Sequence, residues 1–341
     1  MEDNEITLTV AIPTYERAAQ LETTLHRLLP QIQRNGTVRL LLLDNASSVP
    51  AQQVYESVGI PLPDANLSIV RHPCNLGGGG NLMRCFELVE TKWLWVLSDD
   101  DDPSPNAIET ILSDLEADHS FVYYSVPSIQ KPVFESFEGE CILGDSFESL
   151  LERFDDNIGQ LAFISAYVFD VECFRQHFTL GHLLSVTWMS HLMMAMKVLS
   201  GDGRWMISRK SIVDYRAASQ SDSWGFMGLA WALPAMIDFA NTDAELELIV
   251  DRIIRGWRPS PKKVLYSLIA RQQRDQIQQG RLPQLFQILK TVYAPSWKSD
   301  FTLRGRWVIA QVWSYFPRSF KWIYERQKAG RRIDLSSNSR R

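Results

Sequence analysis

Four consecutive aspartates, Asp99–Asp102, follow directly on the apolar run Trp93-Leu94-Trp95-Val96-Leu97 and Ser98. A run of that length and composition reads as a buried strand. Four adjacent carboxylates repel one another, and none enters a core unless it is paired or coordinates a metal. The chain therefore emerges from a sheet at this point. In open α/β sheets that edge is where ligands bind. Hard oxygen donors there suit Mg²⁺ or Mn²⁺. The competing reading is an acidic loop that opens a helix, with Asp as the cap and Pro103 in the first turn.

The preceding residues supply the rest of that sheet. Residues 6–12 are β-branched and apolar and end at Pro13, which predicts a first strand. Residues 18–33 carry Leu21, Leu25, Leu28, Leu29 and Ile32 near helical spacing, and Asn35-Gly36 closes the helix. A second strand at 38–43 ends at Asp44-Asn45. A short helix near 50–57, a third strand at 67–71 and a helix from Gly77–Gly80 to about Thr91 follow. Beyond the acidic run, a helix at 105–117 and a strand at 120–126 continue the alternation. Strands alternating with helices predict an α/β fold with a mostly parallel, doubly wound sheet flanked by helices. Thr14-Tyr15-Glu16, Asp44-Asn45 and Asp99–Asp102 then all fall on one carboxyl edge.

The second half is less regular. The pattern predicts a helix at 145–154, a strand at 161–169, a helix to about 178, an apolar helix at 186–199 containing His191, and a strand at 205–215. From Trp224 onward the pattern is helical and punctuated by Pro259, Pro261, Pro283, Pro295 and Pro317. This divides the chain into a catalytic domain at 1–223, a helical C-terminal region at 224–330 and a basic, Ser-rich tail at 331–341, expected to be disordered.

Composition narrows the class. Four cysteines without CxxC spacing read as reduced thiols, and the acidic N-terminus is no signal peptide; both point to the cytoplasm. No run reaches the roughly 18 apolar residues of a membrane-spanning helix. The net charge of −5 hides a split: residues 251–341 hold 20 Lys+Arg against 5 Asp+Glu, and residues 1–250 carry the compensating excess of acid. The basic region interleaves Trp257, Trp297, Trp307, Trp313 and Trp322 with Arg and Lys. Basic, Trp-bearing helices suit an anionic membrane surface, here the inner face of the cytoplasmic membrane. The alternative is a helical domain packed through its Trp residues, with solvated charges. Nucleic acid is disfavoured by the acidic sheet domain and the lack of a recognisable binding module.

The glycine run can bring backbone N–H groups close to a diphosphate at a helix N-terminus, with Asn75, Asn81 and Arg84 alongside. It is neither a Walker loop nor a dinucleotide fingerprint. Taken together, strand–Pro-Thr-Tyr-Glu-Arg, strand–Asp-Asn-Ala-Ser-Ser, Asn-Leu-Gly-Gly and strand–Ser-Asp-Asp-Asp resemble the family 2 glycosyltransferases of GT-A fold. The resemblance covers about residues 6–125 and is nearest to bacterial O-antigen and capsule enzymes of the abequosyltransferase kind.

That resemblance implies a nucleotide-sugar donor. Pro13, Thr14, Tyr15 and Glu16 match the first nucleotide-contacting turn. Asp44 matches the carboxylate that binds base or ribose, followed here by Asn45. Asn75, Gly77, Gly78, Asn81 and Arg84 match the ribose–diphosphate segment. Asp99, Asp100 and Asp101 match the DXD motif, with Asp100 and Asp101 toward the metal and Asp99 toward the donor. Asp102 is expected to cap the following helix. The acceptor is expected to be a saccharide, such as an undecaprenyl-diphosphate-linked one. An inverting transfer needs a base. The stretch Ser185–Met193 contains no carboxylate, so His191 is the nearest candidate, Asp101 takes part in catalysis, and Asp170, Asp202 and Asp214 are the others. Two further classes stay open. An inactive, donor-binding scaffold would account for the missing carboxylate. A sugar-phosphate nucleotidyltransferase has a related sheet, but Pro13-Thr14-Tyr15 stands where its Gly-rich basic loop belongs.

Overall fold

The computed structural model describes residues 6–115, 119–128, 138–154, 160–187 and 189–216, together with Arg304, Gly305 and Val308. All but the last three belong to one compact unit. The expected C-terminal helices, their Trp residues and the basic tail lie outside the described residues.

The first half follows the alternation closely. Strands β1 (Leu8–Thr14), β2 (Val38–Asp44), β3 (Leu67–Arg71) and β4 (Trp93–Val96) run parallel in the order β3-β2-β1-β4. Helices α1 (Ala18–Arg34), α2 (Ala51–Val58) and α3 (Gly78–Leu88) make the connections. β1 and β4 are buried along nearly their whole length, which is why each reads as an unbroken apolar run rather than an alternating one. Helix α1 buries Leu21, Leu25, Leu28, Leu29 and Ile32, the stripe its spacing predicts.

The second half extends the sheet with mixed directions. β5 (Asp102–Pro103) leaves it, α4 (Ala107–Asp114) follows, and β6 (Phe121–Tyr124) returns. Then come β7 (Cys141–Gly144), α5 (Phe147–Phe154), β8 (Tyr167–Asp170), α6 (Val171–Arg175), α7 (Phe178–Leu183), α8 (Ser190–Leu199), β9 (Trp205–Ser208) and β10 (Val213–Asp214). The large sheet reads β3-β2-β1-β4-β8-β6-β9-β7; β8 pairs antiparallel with both β4 and β6, and β7 pairs antiparallel with β9. The sheet is therefore mostly parallel, with two reversed strands. Three sequence expectations change here. The strand expected at 161–169 forms only from Tyr167, after a tight turn at Ile164–Ala166. The strand expected at 205–215 divides into β9 and β10, and β10 pairs with β5 in a separate two-stranded ribbon. Asp102 sits in that ribbon, opposite Asp214, rather than capping α4, whose N-cap is Asn106.

The core is aromatic where the mixed strands meet. Trp95, Tyr123, Tyr167, Phe86, Phe169 and Phe174 are fully buried. Tyr167 and Phe169 stack at 5.2 Å, and Phe169 meets Phe174 edge-on at 5.0 Å. Each such side chain removes on the order of 150–250 Å² from water, roughly 4–6 kcal/mol of transfer free energy before entropy is counted.

Candidate active site

Strand register alone assembles the centre of the site. Leu8 pairs with Trp93 and with Val38, so Thr14 pairs with Asp44, and Asp99 falls level with Thr14 just beyond the end of β4. Asp44 in turn pairs with Arg71. Arg71, Asp44, Thr14 and Asp99 thus form one row across the carboxyl edge. The side chains complete it: Thr14 Oγ1 donates to Asp99 Oδ2 at 2.7 Å, and Arg71 Nη1 donates to Asp44 Oδ2.

The acidic turn is held from several sides. Arg17 Nη1 reaches Asp99 Oδ1 at 2.9 Å and Asp100 Oδ2 at 2.8 Å. Ser98 Oγ donates to Asp100 Oδ1. Thr24 Oγ1, nearly two turns into α1, donates to the carbonyls of Asp99 and Asp101 at 3.0 and 3.1 Å. Antiparallel pairing of β4 with β8 brings Ser165 level with Ser98; its hydroxyl accepts from Ser98 N at 3.0 Å and donates to Asp101 Oδ2 at 2.7 Å. Asp102 pairs with Arg27 at 3.1 Å and with Arg216.

Burial sets the electrostatics. Asp99 is 2% and Asp101 3% exposed. Burial pushes the Asp99 carboxyl up to about 6, against the pull of Arg17 and Thr14. Burial likewise pushes Asp101 up to about 7, opposed by Ser165 and reinforced by Asp100 and Asp99. Arg17 and the neighbouring Arg216 offset these three adjacent carboxylates only in part, since Asp99 and Asp101 are still pushed up, and this is the property a bound cation would relieve. Among the described residues no group of three or more His, Cys, Asp or Glu side chains is placed to hold a metal ion. The donor set fits a divalent ion held by one or two carboxylates, with oxygens from a diphosphate and water completing the shell.

The neighbouring loops are over-determined. Glu16 and Ala46 both adopt left-handed backbone, at φ 54° and 65°. Such residues persist only where surrounding contacts hold them. Glu16 N donates to Ser47 Oγ at 3.1 Å, and its carboxylate accepts from Ser48 N and Oγ at 2.9 and 2.6 Å. Asp44 accepts from Ser47 N at 2.8 Å and Ala51 N at 3.2 Å, so it serves an early N–H of α2 that Pro50 leaves without a side-chain cap. Burial works to raise the Asp44 carboxyl, but these donors and Arg71 outweigh it and hold it below its ordinary range. Asn45 accepts from Leu76 N at 2.8 Å and donates to Asn75 Oδ1 at 2.8 Å, which shapes the loop before α3. Asn75 Oδ1 also accepts from Gly77 N at 2.7 Å. Gly77 takes φ +77°, and a Cβ on Gly79 would lie 1.8 Å from the Ser185 carbonyl oxygen. The glycine run is thus needed in part for close packing beneath the site.

Several expected site residues have other work. Asp44 is buried and engaged on both oxygens, so its visible role is to build the loop rather than to meet a base; Arg71 is the partly exposed partner beside it. Asn81 is buried, donates to the Leu43 carbonyl at 3.1 Å and meets His72 Nε2 at 3.0 Å, so it clips α3 to β2 instead of facing a ligand. Arg84 pairs with Glu87 along α3, well beyond its N-terminus. His191 is fully buried, its ring edge-on to Tyr167 at 5.7 Å. Burial holds its imidazole down to about 4, with the Leu161 and Ala162 carbonyls pulling the other way. It is a neutral core residue in this conformation and does not present a nitrogen to an acceptor hydroxyl. Asp170 caps α6 through Glu172 N at 3.1 Å and pairs with Lys92, a structural use. Tyr15, Glu16, Asn75 and Gly77 remain exposed around the row, and Gly78 and Pro13 are half-exposed. Tyr15 is 43% exposed. Thr24, Ser165 and Arg71 lie outside the motifs, and Arg17, though it ends the Pro13–Arg17 motif, carries no expected role there. The signal for Arg17 was the unpaired charge of the aspartate run, which calls for a cation from a neighbouring strand end.

Comparisons bear on this arrangement. The family model described as Glycosyl transferase family 2 matches residues 9–175. A search of curated proteins returned no match. Among solved structures, TarS 1–349 of S. aureus in complex with UDP-GlcNAc is similar at 12% identity and a TM-score of 0.54, covering 94% of this chain and 92% of that one. The mannosyltransferase PcManGT from Pyrobaculum calidifontis, in complex with GDP-Man and Mn²⁺, is similar at 14% identity and a TM-score of 0.54, covering 91% and 87%. These structural similarities show the fold, which is the GT-A type. The family match lies on the part of the chain that holds the Arg71–Asp44–Thr14–Asp99 row, and with the shared fold it marks this protein as a glycosyltransferase whose residues 9–175 resemble family 2.

Proposed function

We propose that the protein moves a sugar from a nucleoside-diphosphate donor, seated on the carboxyl edge of β1–β4, to a saccharide acceptor, with inversion and with a divalent cation. One observation carries this reading: strand register puts Thr14, Asp44 and Asp99 in one row, with Arg17, Asp100 and Asp101 directly beside it. Tyr15 offers its exposed ring to the base. Asn45 and Asn75 fix the loop that would lie along ribose and diphosphate. Asp100 and Asp101 would hold Mg²⁺ or Mn²⁺, which supplies positive charge against the diphosphate as the sugar departs. Ser165 orients Asp101, and Thr24 anchors the backbone that aims Asp99–Asp101 at the donor. The TarS and PcManGT complexes with nucleotide-sugars support the donor class by analogy of fold.

The finer reading is a lipid-linked polysaccharide precursor of the O-antigen or capsule kind as acceptor, reached by residues 251–341 resting on an anionic membrane. The charge split of the sequence supports it, and no helix among the described residues is long and apolar enough to cross a membrane.

The test is a thermal-shift panel of UDP-, GDP-, dTDP- and CDP-sugars with and without Mn²⁺. A donor raises the midpoint by mass action, about 2.7 kcal/mol at 100 times its Kd. The matching donor is expected to shift the wild type more strongly with Mn²⁺ and to lose that metal-dependent shift in Asp100→Asn. No shift with any nucleotide-sugar would refute the reading. The burial of His191, in a stretch without carboxylates, favours a second reading as an inactive donor-binding protein. Donor binding without hydrolysis or transfer to any lipid-linked saccharide would select it.

A further inference from the structure

Arg17 stands where a bound cation would have to work. It closes the turn between β1 and α1, and its carbonyl accepts from Leu21 N at 2.9 Å, so its backbone is fixed at the head of the helix. A guanidinium usually sets two nitrogens against one carboxylate. Here a single nitrogen, Nη1, bridges two carboxylates, Asp99 Oδ1 at 2.9 Å and Asp100 Oδ2 at 2.8 Å. Asp100 Oδ1 is taken by the Ser98 hydroxyl. Both oxygens of Asp100 are therefore engaged. A hydroxyl rotates aside easily. A guanidinium beside an arriving divalent ion is repelled by it, and more strongly in a partly buried site than in water. The Arg17 side chain is about one-quarter exposed, and its contacts extend beyond these two carboxylates.

We propose that Arg17 is a resident counter-ion of the free enzyme, which holds Asp99 and Asp100, competes with the divalent cation for Asp100, and passes to the donor diphosphate when cation and donor enter together. The inference rests on the metal-dependent donor reading above. Its consequence is reciprocal coupling. A diphosphate that takes the guanidinium frees the carboxylates for the metal, and a metal that displaces the guanidinium frees it for the diphosphate. The cation alone then binds poorly, and the two ligands bind better together than either does alone.

The test measures Mn²⁺ binding to the full chain at pH 8, by calorimetry and by the resonance of free Mn²⁺, with Mn²⁺ alone and with saturating UDP or GDP. Wild type is expected to bind Mn²⁺ alone at least about tenfold more weakly than with the matching diphosphate. Arg17→Gln and Arg17→Met are expected to bind Mn²⁺ alone about tenfold more tightly than wild type, and Arg17→Lys to remain close to wild type. Equal or weaker Mn²⁺ binding by the Gln and Met variants overturns the inference. So does a wild type that binds Mn²⁺ equally well with and without diphosphate, a result that needs no variant to fold. Asp100→Asn separates the two levels. If it abolishes Mn²⁺ binding while Arg17→Gln changes nothing, only the role of Arg17 falls. If Mn²⁺ binding survives Asp100→Asn, the metal site itself is wrong.

Discussion

Replacing His191 by Gln tests whether that side chain belongs to the core or to the chemistry. Burial holds the folded imidazole to about 4, against about 6.5 in an unfolded chain. Between those values the unfolded state binds a proton that the folded state does not. Protonation therefore favours unfolding, and stability rises with pH across that window. The contribution is fully present above about pH 6.5 and is lost as pH falls toward 4. The whole span corresponds to about 3 kcal/mol at about 1.4 kcal/mol per unit. Gln is uncharged throughout, so the difference in unfolding free energy between wild type and variant isolates this one group from other titrations, including those of Asp99 and Asp101, which run in the opposite sense. Urea melts at pH 7.5, 6.5, 5.5 and 5.0 provide the difference. Whatever its value at pH 7.5, it should shift against the wild type by about 2 kcal/mol by pH 5, roughly a 0.7–1 M movement in relative urea midpoints for an m value of about 2–3 kcal/mol/M. A pH-independent difference, or one of opposite slope, would refute the buried-neutral assignment. So would a loss of turnover at pH 7.5 of 10²-fold or more in a stably folded variant, the range typical of a deleted general base.

Other substitutions address neighbouring contacts. Gly79→Ala places a methyl 1.8 Å from the Ser185 carbonyl oxygen; overpacking of this kind costs about 1–3 kcal/mol or more, read as a lower thermal midpoint with or without donor. Asn81→Leu leaves the Leu43 carbonyl and His72 without their buried partner, which should cost about 1–3 kcal/mol in urea melts; unchanged stability with weakened donor binding would instead return Asn81 to the ligand.

What the sequence disclosed, and what it hid, divides along a physical line. β1, β2, β3 and β4 were legible because strands covered on both faces are continuous apolar runs, and because α1 keeps a clean helical stripe. β7 was not, since Cys141–Gly144 alternates exposed and half-exposed positions at the sheet edge, with only Ile142 and Leu143 as large apolar residues. Strand direction leaves no local mark either, so the reversal of β8 had no signal. Within the site, the aspartate run, Tyr15 and Asn75 announced themselves by polarity at strand ends. Polarity alone does not tell a ligand contact from a buried clip, which is why Asp44 and Asn81 looked alike to Asn75 until their partners were known. Arg17 and Ser165 escaped for the complementary reason: each acts through a carboxylate 82 or 64 residues away in the chain, and that closeness exists only once β1, β4 and β8 lie side by side.

The Thr14–Asp99 bond spans 85 residues of chain, and it joins strands whose pairing must already be in place. Loop closure over such separations is slow and is not rewarded until the parallel sheet has formed. A refolding chain therefore regains helical signal and collapsed aromatic clusters before it regains a competent aspartate turn. Donor added with Mn²⁺ at the start of refolding should hold the finished protein in place by slowing its unfolding, and leave the rate at which the sheet assembles unchanged.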